Sequence, residues 1–118
     1  MHEIAVTQHV VNIVVRHAEM NAANRVITVR LRIGELRDIV PEWMQRFFDR
    51  LSRGTVAEGA RLEIERSPIT FVCDCGEKFT VSMKKIRAKS EIECPSCGGK
   101  AIELSSGREF EILGIEVR

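Results

Sequence analysis

The hydrophobic and polar positions of the first 67 residues follow a helical period and then a strand period. Residues 3–22 predict a helix, because apolar side chains recur every three or four positions and polar ones fill the opposite side. Residues 25–33, "RVITVRLRI", alternate apolar and polar side chains, which predicts a strand with one buried face. The expected buried side of the helix consists of Ile4, Val10, Val11, Val14, Val15 and Ala18.

A second helix and a second strand follow. Pro41 can open the helix, because its ring presets the backbone angle and its missing N–H would have no helical partner at that position. Residues 60–66, "ARLEIER", alternate again and predict a strand. The helix carries the single tryptophan and two of the five phenylalanines, so we expect it to anchor the core. Its apolar side is Trp43, Met44, Phe47, Phe48 and Leu51.

Residues 69–104 differ in character, since they contain all four cysteines and few large apolar side chains. Residues 108–118 are strand-like again. This order predicts an α+β fold, with two helices on a three-stranded sheet and an inserted zinc-ribbon-like domain that has four cysteine ligands. The expected domains are residues 1–67 plus 106–118, and residues 68–105.

The cysteines form two close pairs, Cys73 with Cys75 and Cys94 with Cys97. In a reducing compartment such pairs more often hold a metal than form disulfides. Four thiolates are typical of structural zinc, and they leave no coordination position open for a substrate. Iron in the same tetrahedron, a redox disulfide between Cys73 and Cys75, and four unrelated thiols are the alternatives.

The first pair has only one intervening residue, and its sulfurs would lie about 7 Å apart on an extended chain. A bend must therefore bring them together. The segment has few apolar side chains, so we expect it to need its metal to fold. The basic run Lys84, Lys85, Arg87 and Lys89 is interpreted as a solvated strand edge, with nucleic-acid binding as the alternative.

The overall charge restricts the possible partners. The chain has 18 basic and 17 acidic side chains, a balance that argues against a nucleic-acid partner.

No apolar stretch reaches the roughly 18 residues that cross a bilayer, and the beginning of the chain lacks the pattern of a signal peptide. We therefore expect a cytoplasmic protein without a membrane partner. No residue set for turnover stands out, so we predict that it is not an enzyme.

The first three residues, "MHE", offer a set of nitrogen ligands. Square-planar nitrogen sites suit nickel(II) or copper(II). The imidazole and amide of His2 close a six-membered chelate ring, and the amides of His2 and Glu3 close a five-membered ring. The segment thus supplies three planar ligands, and the fourth must come from elsewhere. Taken alone, a single histidine is more often an exposed terminal residue.

Five segments, in order along the chain, resemble the hydrogenase nickel-incorporation family, HypA/HybF. They are "MHEIAVTQHVV", "RLRIGEL", "CDCG", "CPSCGG" and "GREFEILGIEV". The resemblance implies a nickel metallochaperone whose nickel-binding domain is formed by both chain ends, with a zinc domain inserted between them. It implies that His2 binds nickel beside Glu3, and that the four cysteines bind zinc.

The resemblance also implies a backbone nickel ligand from the loop 36–41, "LRDIVP", for which Asp38 and Val40 are the candidates. The implied partners are a HypB-type GTPase and the large-subunit precursor of nickel–iron hydrogenase, and in some organisms urease. The chain departs from the family at Cys73-x-Cys75, where the family has two intervening residues. A zinc-ribbon adaptor for nucleic acid or a protein complex is the alternative function. Hinges near Pro68 and 105–107 would permit a homodimer, including a domain-swapped one.

Overall fold

The computed structural model describes residues 3–100 and 102–118. It contains two three-stranded sheets, with the strand orders β2-β1-β6 and β4-β3-β5, and it confirms the predicted α+β class. No helix in the described ranges is long and apolar enough to cross a membrane. The elements are α1 Glu3–Met20, β1 Val26–Gly34, α2 Pro41–Leu51, β2 Arg61–Ser67, β3 Ile69–Cys73, β4 Lys78–Val81, α3 Met83–Arg87, β5 Ile102–Ser106 and β6 Phe110–Val117.

Helix α1 has the predicted period, but its buried side begins one residue earlier than expected. Glu3 is buried, whereas Ile4 is 56% exposed, so the prediction that Ile4 faces the core is wrong. Consecutive helical residues are turned by about 100° from one another, and Ile4 therefore lies beside the buried stripe. The buried residues of α1 are Glu3, Thr7, Val10, Val11, Val14 and Ala18.

Helix α2 begins at Pro41, as predicted, and packs on α1. Met44 and Phe48 are fully buried, which confirms that the helix contributes to the core. Trp43 is 54% exposed, so the prediction that it belongs to the core-facing side of the helix is wrong. Because Met44 points into the core, its helical neighbour Trp43 is turned away from it.

Strand β1 is the central strand of its sheet. On one face, Val29, Leu31 and Ile33 are fully buried, as the alternation predicted. On the other face, Arg32 pairs with Glu65 of β2 at 2.9 Å and with Glu111 of β6 at 3.6 Å. The guanidinium of Arg32 therefore joins all three strands on the solvent side.

The chain divides into two compact units. The first comprises the residues up to Arg32, Ile39–Glu65 and Glu111–Arg118. The second comprises Ile33–Asp38 and Arg66–Phe110, and it contains all four cysteines. The short segment Ile33–Asp38 precedes α2 in the chain but belongs to the cysteine unit. The assignment of nickel and zinc to the two domains stays a prediction.

Hydrogen bonds explain why the segment Ile33–Asp38 belongs to the cysteine unit. The backbone N–H of Leu36 donates to the carbonyl of Gly107 at 2.9 Å. The guanidinium of Arg66 donates to the carbonyls of Ile33, Gly34 and Arg37 at 2.9–3.1 Å. One arginine side chain thereby holds three carbonyls of the segment.

The sheet of the cysteine unit has β3 in the centre, antiparallel to β4 and β5. Phe71 of β3 stacks on Phe79 of β4, with ring centroids 6.0 Å apart. The sequence suggested that the basic run forms a strand edge, and this prediction is wrong. Most of it lies in the short helix α3, whose first turn is capped where the Lys85 N–H donates to the Ser82 hydroxyl at 3.2 Å.

Candidate metal centre

The four cysteines converge on one point of the second unit. Their sulfur atoms all lie within 4.8 Å of one another. The Cys73 and Cys97 sulfurs are 3.5 Å apart, and those of Cys75 and Cys94 are 3.6 Å apart. These partners are separated by 24 and 19 positions in the chain, so the fold brings the two pairs together.

A tight turn brings the sulfurs of Cys73 and Cys75 together, although only one residue separates the two cysteines. Strand β3 ends at Cys73, and the Gly76 N–H donates back to the Cys73 carbonyl at 2.8 Å. The Cys73 N–H in turn donates to the Glu77 carbonyl at 2.9 Å. Gly76 has a φ of +94°, which a residue with a side chain rarely adopts. The turn directs both sulfurs to the same side, although only Asp74 separates them.

The second pair lies in a similar turn, in which backbone N–H groups also face the sulfurs. The Gly98 N–H donates to the Cys94 carbonyl at 2.8 Å, and Gly98 has a φ of +72°. The Ser96 N–H donates to the Cys94 sulfur at 3.4 Å. The Gly99 N–H donates to the Cys97 sulfur at 3.3 Å. Such N–H groups stabilise thiolate charge, which a metal ligand needs.

The sulfur geometry fits a tetrahedral metal ion. With zinc–sulfur bonds of about 2.3 Å, a regular tetrahedron has sulfur–sulfur edges of about 3.8 Å. The two shortest contacts, 3.5 and 3.6 Å, lie slightly below that value, and none of the other separations exceeds 4.8 Å. Cys73 and Cys94 are buried, while Cys75 and Cys97 are exposed. All four donors are thiols, which suits a soft or borderline cation.

Without a metal, the pKa values of the Cys73 and Cys94 thiols move in opposite directions. A hydrogen bond from the backbone of Cys75 lowers the pKa of Cys73, but burial and the neighbouring thiols outweigh it and raise the pKa to about 12. Burial tends to raise the pKa of Cys94, but bonds from the backbone of Cys97 and Ser96, with the neighbouring thiols, lower it to about 7. The Cys94 thiolate therefore forms at a lower pH than that of Cys73, whose ionisation a bound cation must drive.

The predicted nickel residues are placed only in part. Met1 and His2 lie outside the described residues. Glu3 is the first residue of α1, its side chain is buried, and its carbonyl accepts a hydrogen bond from the Thr7 hydroxyl. The other two histidines, His9 and His17, are exposed on α1. The nickel ligand set stays a prediction.

The two candidate loop ligands differ in their surroundings. The Asp38 carboxylate accepts a hydrogen bond from the Arg87 guanidinium at 2.5 Å, and both side chains are exposed. Val40 is the N-cap residue of α2, where its carbonyl accepts from the N–H groups of Trp43 and Met44. Sequence reasoning missed Arg87 as a partner of the loop, because no spacing rule connects residues 49 positions apart.

An α+β fold with a separate four-thiol centre places the chain in the class of small metal-binding proteins. A family model described as "Hydrogenase/urease nickel incorporation, metallochaperone, hypA" matches residues 1–117. The chain belongs to this HypA family. Members of the family are metallochaperones and maturation factors rather than enzymes, as the sequence predicted.

Curated relatives match over nearly their full length. The hydrogenase maturation factor HypA of Caldanaerobacter subterraneus subsp. tengcongensis is 39% identical over 119 residues, covering 99% of both chains. The factor of Geobacter sulfurreducens is 38% identical, again with 99% of both chains covered. That of Methanothermobacter thermautotrophicus is 35% identical, covering 99% of this chain and 97% of the relative.

Two solved structures show the same fold. "Solution structure of HypA protein" matches with a TM-score of 0.72 and 24% identity, covering 100% of this chain and 97% of that one. The solution structure of the nickel metallochaperone HypA from Helicobacter pylori matches with a TM-score of 0.62 and 22% identity, covering 99% and 97%. The resemblance noted in the sequence is thus confirmed at the level of family and fold.

Proposed function

We propose that this chain binds Ni(II) through the His2 imidazole and the backbone amides of His2 and Glu3, and passes it to the large-subunit precursor of nickel–iron hydrogenase. The observation that carries the proposal is that the match to the nickel-incorporation family begins at residue 1 and therefore includes "MHE". The N-terminal segment supplies three planar nitrogen donors and takes its fourth from elsewhere, and such a divided ligand set suits a carrier that must release its metal.

The fourth nickel ligand is a backbone group of Asp38 or Val40. The Asp38 carboxylate is already engaged by Arg87, so a main-chain atom is what this residue has to offer. The Val40 carbonyl accepts from two amides of α2, so its own amide nitrogen is the available donor. A backbone amide becomes a good nickel ligand only when it loses its proton. Nickel binding should therefore weaken as the pH falls.

The four cysteines hold zinc in a structural role. Their sulfur atoms all lie within 4.8 Å of one another, which is close enough for one zinc ion to reach all four, and four protein ligands leave no position for a substrate. The Lys84, Lys85 and Lys89 side chains of the same unit are exposed, but the net charge of +1 gives no support to nucleic-acid binding.

The proposed partners are a HypB-type GTPase, the hydrogenase large-subunit precursor and, as an alternative client, urease. A homodimer, including a domain-swapped one, is a further proposed assembly. The proposed compartment is the cytoplasm, where reduced cysteine thiols persist. The proposed client enzymes are taken from the description of the family, which names both hydrogenase and urease.

A nickel titration of untagged protein tests the N-terminal site. Wild type should bind one equivalent of nickel, and His2→Ala should lose it while keeping one zinc per chain by elemental analysis. His9→Ala is the matched control, because His9 is an exposed histidine on the same helix. If His2→Ala binds nickel like wild type, or if His9→Ala loses nickel equally, the site is wrong.

A transfer experiment tests delivery. Nickel-loaded chain is mixed with metal-free large-subunit precursor, with and without the GTPase, and the nickel content of the re-isolated precursor is measured. The nickel-loaded wild-type chain should load the precursor faster than an equal concentration of nickel bound to a small chelator. Equal rates for the chain and the chelator would show that the chain only stores nickel.

A further inference from the structure

Thr7 is a polar residue on the buried side of α1. Its side chain is fully buried, and its hydroxyl donates a hydrogen bond to the carbonyl of Glu3, four residues earlier. Glu3 is the first residue of α1, and it is also buried, with 6% of its surface exposed. A buried side-chain bond therefore closes the turn with which the helix begins.

Burial distinguishes this bond from another side-chain bond of α1. The Gln8 amide also donates to a residue four positions away, Asn12, but that bond is exposed. An exposed group can exchange its partner for water at little cost, whereas a buried hydroxyl that loses its partner bears the full cost of desolvation. The Thr7 hydroxyl therefore stays bound to the Glu3 carbonyl.

The Glu3 carbonyl receives two donors from the same residue. In an α-helix a carbonyl accepts from the backbone N–H four residues later, which for Glu3 is the N–H of Thr7. The Thr7 hydroxyl is the second donor. Helix ends usually fray, because their residues make few helical bonds. The second donor opposes fraying at the residue where α1 begins.

We infer that Thr7 is a positioning residue for nickel, because its hydroxyl fixes the residue whose amide nitrogen binds the metal. The inference rests on the proposed nickel site, in which the Glu3 amide is one of the three donors of the N-terminal segment. The carbonyl, the side chain and the amide nitrogen of Glu3 are joined at one α-carbon. Holding the carbonyl and burying the side chain therefore leaves the nitrogen little freedom to move.

A fixed Glu3 amide is a better nickel ligand for two reasons. A ligand that is already in place loses less conformational freedom when the metal binds, so more of the interaction energy remains as affinity. The N–H of the first helical residue also has no acceptor within the helix, so its proton passes to solvent without breaking a helical bond. The partial positive charge of the helix N-terminus then favours the negative amide nitrogen that binds nickel.

Substitutions of Thr7 separate its hydroxyl from its methyl group. Thr7→Ser keeps the hydroxyl, and its nickel affinity should stay within about twofold of wild type. Thr7→Val keeps the shape but loses the hydroxyl, and it should bind nickel about three- to tenfold more weakly. Stability in urea should show the reverse order, since Thr7→Ser loses a buried methyl group and Thr7→Val does not. Thr7→Ala, which also lacks the hydroxyl, should repeat the loss of affinity without relying on how valine packs.

The visible absorption of bound nickel provides a readout that a loss of stability alone does not change. Nickel(II) with planar nitrogen ligands absorbs more strongly than nickel that has exchanged a ligand for water and become six-coordinate. At nickel saturation, Thr7→Ser should show the wild-type spectrum. Thr7→Val should show a weaker planar band, because a less firmly held Glu3 amide gives way to water in part of the molecules.

Thr55→Val is the matched control for these measurements. It removes another threonine hydroxyl that donates to a nearby carbonyl, that of Ser52 at 2.6 Å, within the same unit. Its stability should fall, but its nickel affinity and spectrum should equal those of wild type. A loss of nickel affinity that Thr55→Val shares, or that Thr7→Ser fails to restore, would overturn the role of the Thr7 hydroxyl.

The His2→Ala variant distinguishes failure of this inference from failure of the proposed nickel site. If His2→Ala loses nickel but Thr7→Val binds it like wild type, Thr7 has no positioning role and the proposed site stands. If His2→Ala binds nickel like wild type, both the site and the role of Thr7 are wrong. Elemental analysis should find one zinc per chain in every variant, which shows that the cysteine unit is intact.

Discussion

Gly34 lies where the backbone of another segment leaves no room for a side chain. A Cβ atom added there would lie 2.0 Å from the carbonyl oxygen of Gly107. The opposing atoms are backbone atoms and cannot rotate away. We therefore expect Gly34→Ala to lower the free energy of unfolding by about 3 kcal/mol or more, measured by urea denaturation.

Gly114→Ala is the control for this substitution. Gly114 also lies in a strand of the same sheet, but a Cβ there would meet nothing within 4 Å. Its effect should stay within about 1 kcal/mol, with higher stability the favoured direction because alanine loses less backbone entropy on folding. If the two variants were equally stable, the close approach at Gly34 would be wrong.

Ser52 presents a different situation, because it is a polar residue buried in the core. It is fully buried at the C-cap of α2, and among the described residues its hydroxyl has no hydrogen-bond partner. Burial of an unpaired hydroxyl costs about 1–3 kcal/mol. Ser52→Ala should therefore raise the free energy of unfolding by about 1 kcal/mol, measured by thermal denaturation.

Thr55→Val provides the comparison, because the Thr55 hydroxyl does have a partner. It donates to the Ser52 carbonyl at 2.6 Å. Its loss should lower the free energy of unfolding by about 1 kcal/mol. A Ser52→Ala protein that is less stable than wild type would show that the hydroxyl has a partner such as a bound water.

At the scale of elements, the sequence predicted the two long helices and most of the side that each turns to the core, but not the exact limits of that side. The helical period of α1 and α2 follows from the spacing of apolar residues alone. The phase of that period depends on the surface against which the helix packs. This is why Ile4 and Trp43, although apolar, lie on the exposed side, whereas Glu3 is buried.

The burial of α2 gives a direct prediction. Phe48 is fully buried and Trp43 is half-exposed on the same helix. Phe48→Ala should lower the free energy of unfolding by about 3–5 kcal/mol, because it removes buried surface and leaves a cavity. Trp43→Ala should cost no more than about 1 kcal/mol. Similar losses for the two variants in urea would contradict the packing of α2.

Helix α3 shows the limit of pattern reading for short elements. Five residues with three basic side chains carry too little apolar periodicity to distinguish a helix from a charged edge. The available signal was Ser82, a good N-cap residue placed just before the run. The partner of Arg87 across the unit, Asp38, could not be deduced from spacing.

At the scale of the whole molecule, the two units should respond differently to metal removal. Metal binding by four thiolates contributes an apparent free energy of about 10–16 kcal/mol to folding in small zinc domains, more than most domains have in total. A strong chelator should therefore remove hydrogen-exchange protection from Arg66–Phe110 and leave it largely intact in α1 and α2. Added zinc should restore protection, whereas added magnesium should not.

Unchanged protection in Arg66–Phe110 after complete metal loss by elemental analysis would contradict the structural role of the metal. The cysteine spacing alone predicted this centre, because four soft ligands in two short pairs have few other uses. The participation of Ile33–Asp38 in the same unit could not be predicted in this way. It depends on tertiary hydrogen bonds such as those of Arg66, and the sequence does not indicate which of its arginines makes such bonds.

The hydrogen bonds of Ile33–Asp38 also determine when the cysteine unit can be completed during synthesis. Arg37 leaves the ribosome 71 residues before Arg108, whose carbonyl accepts from the Arg37 guanidinium. At a translation rate of about 5–20 residues per second, this contact of Arg37 can form only several seconds after Arg37 is made, later than those of the segment with Arg66. All four cysteines emerge within that interval. Metal capture can therefore precede the last contacts of the unit, and the order of events on the ribosome favours a centre that is loaded before its surroundings close.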